Sequence, residues 1–108
     1  MNYMASRIDN TSYTVLRTYL PYLVLKVLMV KGTVTAYTVI QTINDAFGMQ
    51  LSPGTIYNTL NSLERKGYID RKVDSPEITI TTQGKALVLK ALREGEAITQ
   101  KIHNFLKG

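Results

Sequence analysis

Apolar residues recur along this chain with two different periods, and the change between them marks out its parts. Tyr13, Leu16 and Leu20 lie on one side of a short helix over residues 12–19, with Ser12 as its cap. Pro21 then either kinks that helix or opens a new one. Over residues 21–31, Leu23, Val24, Val27, Leu28 and Val30 place apolar groups on several faces, as in a central buried helix. Gly32 stands where that helix should end. Ala36, Val39, Ile40 and Ile43 return at helical spacing with Phe47 one turn on, which predicts a second helix over residues 35–47, stopped by Gly48. Several of its residues are β-branched, so packing rather than propensity must hold it. Ser52 is a good cap and Pro53 a good first helical residue, and a third helix follows to Lys66, closed by Gly67.

The period then shortens to two. Residues 68–73 read as a strand, 74–77 as a turn and 78–81 as a returning strand, with Ile78 and Ile80 alternating with Thr79 and Thr81. A long helix follows over residues 82–106. Three helices, a β-hairpin and a long helix make a mainly α chain with the layout of a winged helix-turn-helix. The expected division is a flexible arm over residues 1–11, a DNA-binding unit over 12–81 and a dimerisation helix over 82–108. No tandem repeat and no low-complexity tract interrupts it.

Composition narrows the partners. The chain has 108 residues, 44% of them hydrophobic, which suits one domain with a modest core that would gain from a second copy. Thirteen Lys and Arg against eight Asp and Glu leave a formal charge of +5, which favours a polyanion. There is no cysteine, so disulfides and thiolate zinc sites are excluded. No apolar core follows Arg7, so no signal peptide is expected. The stretch 19–30 is broken by Pro21 and Lys26 and falls short of the ~20 residues that span a bilayer. It is expected to be a core helix, with no membrane partner and a cytoplasmic, DNA-associated location.

On a helical wheel, Ile56, Leu60 and Leu63 form one narrow stripe of the third helix. The other side carries Gly54, Asn58, Asn61, Ser62 and Arg65, flanked by Thr55 and Tyr57, with Glu64 near the edge. Amides, hydroxyls and one guanidinium can read base edges or grip phosphates in a major groove. The N–H groups of Gly54 and Thr55 would seat a phosphate. A solvated polar face is the competing explanation, but such faces are usually laced with Glu and Lys.

The run Leu51-Ser52-Pro53-Gly54-Thr55-Ile56-Tyr57, followed by Leu60, Leu63-Glu64 and Gly67-Tyr68-Ile69, resembles the signature of PadR-type transcriptional regulators. Thr81-Thr82-Gln83-Gly84-Lys85 is similar to that family's Thr-x-x-Gly junction, and Leu25 to Gly32 with Tyr37 resembles its first two helices. The likeness covers about residues 20–92. It implies a dimeric winged-helix DNA binder, usually a repressor, with Ser52, Pro53, Gly54, Thr55 and Tyr57 at or near the DNA backbone. The chain departs from the pattern at Ala36, where Gly commonly precedes the Tyr. The acidic wing tip, Asp74-Ser75-Pro76-Glu77, does not suit a minor groove. Arg71 and Lys72, lower on the strand, are the wing's candidate phosphate contacts. Asn58, Asn61 and Arg65 complete the candidate DNA-binding set.

In the last helix, Val88, Ala91, Gly95, Ile98, Ile102 and Phe105 recur in steps of three and four, and Leu87 and Leu92 widen the stripe. That seam of about two and a half heptads predicts a homodimer interface, with packing on the chain's own first helix as the alternative. Gly95 costs about 1 kcal/mol in a helix interior and marks either a close crossing or a break. His103, the single histidine, is near the helix end and suits its C-terminal dipole better than a metal.

No catalytic constellation, metal site or cofactor loop is expected: the glycines are dispersed and the acids form no evident pair. The partners expected are double-stranded DNA with a near-palindromic site and a second copy of the chain. A sequence-specific transcriptional regulator is the first reading. A DNA-bound scaffold fits the same fold: a partition-site or architectural protein that spreads along the duplex and recruits a partner protein.

Overall fold

A computed structural model describes residues 10–108 of the chain. The order is α1 (Asn10–Lys31), β1 (Val34–Thr35), α2 (Ala36–Phe47), α3 (Pro53–Arg65), β2 (Ile69–Arg71), β3 (Glu77–Ile80) and α4 (Thr82–Lys107). The arm expected over residues 1–11 lies outside the described residues, except for its last two, which belong to α1.

Of the two readings open at Pro21, a kink or a new helix, no new helix begins there. α1 runs through Pro21 for 22 residues. A proline inside a helix costs about 3 kcal/mol. Leu20, Val24, Leu25 and Leu28 of the same helix are 0–1% exposed, and each such burial contributes about 1.5–3 kcal/mol. Packing therefore outweighs the break. Val30, expected among the buried residues, is 69% exposed. As one helix, Thr11–Lys31 is long and apolar enough to cross a membrane by length and composition, contrary to the shorter stretch expected. Its buried stripe is nonetheless spent on α2, α3 and α4 of the same chain.

The hairpin has a third strand. β1 pairs antiparallel with β3, Val34 opposite Ile78 and Thr35 opposite Glu77, giving the order β1-β3-β2. β2 pairs with β3 through Ile69 and Ile80, Asp70 and Thr79, and Arg71 and Ile78. Two residues cannot display an alternation, so β1 leaves no periodic trace in the sequence. Thr35 ends the strand and caps α2, accepting from the Thr38 N–H at 3.3 Å. Gly48 closes α2 in the left-handed region at φ 61°.

Between α2 and α3 the chain is held by Asn44, whose Oδ1 accepts the Leu51 N–H at 2.9 Å. Met49 and Leu51 turn inward there, at 6% and 4% exposure. Val39 and Ile43 of α2, the Ile56, Leu60 and Leu63 stripe of α3, and Ile69 and Ile78 of the sheet complete the core around α1. α4 is fastened at its start. Thr81 caps it by accepting the Gly84 N–H at 3.1 Å, and the same hydroxyl donates to the Gly67 carbonyl at 2.7 Å. A Cβ on Gly84 would overlap the Tyr68 carbonyl oxygen, which explains a glycine three residues after that threonine.

Candidate nucleic-acid interface

α3 is anchored by Ile56, Leu60 and Leu63, which are 0%, 0% and 3% exposed. The wheel deduced from sequence is thus the real one, and the opposite side faces solvent. Asn58, Asn61, Arg65, Gly54 and Tyr57 are exposed along it, while Ser62 and Thr55 are half-buried on one flank.

The helix start is largely occupied with itself. Ser52 Oγ accepts the Thr55 N–H at 3.2 Å and lies 2.9 Å from the Thr55 hydroxyl. Of the two N–H groups expected to seat a phosphate, that of Thr55 is therefore engaged in the cap. Pro53 has no N–H and takes the first helical position, where none is needed. Gly54 stands out for the opposite reason. A Cβ there would meet nothing nearer than Ser52 Oγ at 4.0 Å. Neither internal packing nor backbone conformation demands a glycine at this exposed position.

The two flanks of the face differ. On the wing side, Arg71 is not the free cation expected. Its Nη2 and Nε donate to Glu64 Oε1 at 2.6 and 3.1 Å, and Nη2 also donates to Asn61 Oδ1. The cause is tertiary: β2 lies against α3, bringing residues seven and ten positions apart into contact. Lys72 is exposed beyond them, and the wing tip ends in Asp74, Ser75, Pro76 and Glu77, with Ser75 Oγ accepting the Glu77 N–H at 3.2 Å.

On the other flank, an open cleft of about 390 Å³ runs between α1 and α3. Arg17, Pro21 and Tyr22 form one wall, Thr55, Asn58, Ser62 and Lys66 the other, and Leu87 of α4 contributes to the lining. Sequence reasoning missed Arg17 and Lys66 as cations beside this face. Arg17 and Pro21 are one turn apart, but nothing local says that they meet α3.

The residues expected at a dimer interface divide. Val88 is 4% exposed and belongs to the protomer's own core, a correction to its place in the expected seam. Leu87, Ala91 and Gly95 are half-buried in the same half of α4. Tyr19 Oη and Thr99 Oγ1, 3.1 Å apart, tie α1 to α4. Leu92 (62%), Ile98 (52%), Ile102 (49%) and Phe105 (85%) are exposed, and so are Leu89 and Leu106. Among the described residues, the apolar stripe thus continues past its intramolecular support.

Compared with known proteins, the chain matches the model of the transcriptional regulator PadR-like family over residues 24–90. Its fold is similar to a transcriptional regulator from Clostridium thermocellum, at TM-score 0.74 and 22% identity, covering 91% of this chain and 97% of the other. It is also similar to a PadR-like transcription factor from Bacteroides fragilis, at TM-score 0.67 and 17% identity, covering 90% and 99%. No curated protein matches the sequence.

Proposed function

Because the chain belongs to the PadR-like family of transcriptional regulators, it is a DNA-binding regulator and not an enzyme, and we propose that it acts as a homodimeric repressor on a near-palindromic site. The observation that carries this reading is the solvent face of α3. Asn58, Asn61 and Arg65 stand exposed on a helix whose other side is locked into the core. Such groups reach base edges and phosphates. Gly54 supports the same reading, since its open surface leaves room for a close external backbone such as that of DNA. Ser52, Pro53, Thr55 and Tyr57 then line the helix start along a strand, with Lys72 as a phosphate contact from the wing.

Two copies would join through the exposed side of α4, around Leu92, Ile98, Ile102 and Phe105, with Leu87, Ala91 and Gly95 beside them. A dyad between two α3 helices sets them about 34 Å apart in successive major grooves, hence the near-palindrome. The site of action is chromosomal DNA in the cytoplasm. Footprinting on the source genome tests the reading. Protection of a near-palindrome at promoters is expected. Equal affinity for random and selected duplexes would overturn sequence-specific regulation.

A further inference from the structure

Glu64 is the acidic residue on the edge of an otherwise uncharged or basic face, and the structure gives it a task. Its Oε1 receives both Nε and Nη2 of Arg71, at 3.1 and 2.6 Å, the ion pair found among the described residues. Arg71, held this way, presents Nη2 to Asn61 Oδ1. An arginine has donors only, so the Asn61 atom facing it must be the carbonyl oxygen. The Asn61 NH₂ is then the end that does not face Arg71. Reading adenine with an asparagine needs both ends: the oxygen accepts from N6 and the NH₂ donates to N7. The oxygen keeps a second lone pair and can still accept, but Arg71 now fixes which way the oxygen and the NH₂ of Asn61 point.

Resting on α3 as the DNA-facing helix, we propose that Glu64 sets specificity without touching DNA: through Arg71 it fixes the orientation of the Asn61 amide. Held this way, Asn61 offers the groove one arrangement of donor and acceptor and so prefers one base at its position. Arg71, its charge matched by Glu64, stays out of the phosphate contacts. The wing's salt-dependent grip falls to Lys72.

Selection from a randomised duplex pool, with salt titrations on the selected site, tests this. Glu64→Ala should relax the base preference at one position per half-site, by about five- to a hundredfold. Asn61→Ala alone should relax the same position, and adding Glu64→Ala to it should relax it no further. Glu64→Gln retains an acceptor for Arg71 and should keep the wild-type motif. In the wild-type background, Lys72→Ala should make the slope of log K against log salt shallower by about 0.9 per protomer, and Arg71→Ala should leave it nearly unchanged. Releasing Arg71 with Glu64→Ala should steepen the slope by about the same 0.9. Matching melting curves establish that the variants are folded. A wild-type protein that enriches no sequence overturns the assignment of α3 and this proposal with it. A wild-type motif and slope that survive Glu64→Ala unchanged overturn this proposal alone.

Discussion

Two glycines on either side of the wing show how differently the same residue can be required. Gly84 packs on the Tyr68 carbonyl, with Ile80 Cγ1 2.7 Å from where a Cβ would sit. Gly84→Ala should destabilise the fold by about 1–3 kcal/mol, the usual result of overpacking, and lower the melting temperature. Gly54 faces open space. Gly54→Ala should hold or raise stability, by up to about 1 kcal/mol from helix propensity, yet weaken DNA binding. Calorimetry and a binding isotherm on the same sample decide it, and unchanged affinity would remove Gly54 from the interface. Both glycines were recognisable in sequence as parts of a motif. Which of them answers to the protein's own packing was not, because that depends on a carbonyl sixteen residues away in one case and on empty space in the other.

At the scale of elements, α3 and α4 each carry one stripe with two fates. In α3 the stripe is wholly internal, so Leu60→Ala should cost about 2–5 kcal/mol in chemical denaturation. Asn58→Ala, on the exposed side, should stay within about 0.5 kcal/mol of wild type and lose DNA affinity. An unfolded Asn58→Ala protein would show that the wheel has been assigned the wrong way round. In α4 the stripe begins in the core at Val88 and ends in solvent at Phe105, 4% and 85% exposed. Ile102, at 49% exposure, can accept a charge without injury to the protomer. Ile102→Glu should therefore give a folded monomer with weakened DNA binding, read by sedimentation. A dimer that persists would move the interface elsewhere. Heptad spacing predicted this helix and its apolar seam. It could not say which part of the seam packs on the protomer itself, since that is set by where α1 lies against α4.

For the whole molecule, the extents of 51 × 37 × 21 Å describe a thin body from which the last turns of α4 run out past the core. Its net charge of +5 suits a polyanion, but charge alone does not separate a regulator from a protein that coats DNA. Stoichiometry does. On duplexes of increasing length with one cognate site at the end, binding should saturate at one or two dimers whatever the length. Cooperative addition of further dimers as the duplex grows would replace the repressor reading with a spreading scaffold.

The sequence by itself determined the helices after Gly32, the cap at Ser52, the buried side of α3 and the order of helices and wing. These follow from hydrophobic period and capping chemistry, which act within a few turns of chain. Only the tertiary structure decided that α1 passes unbroken through Pro21, because burial of its leucines outweighs one lost hydrogen bond. It alone added β1, whose two residues acquire a strand's hydrogen bonds from β3, more than forty positions away. And it alone turned Arg71 from a free cation into the partner of Glu64 and Asn61: a guanidinium pairs with whatever carboxylate folding brings within reach, and here β2 is laid along α3.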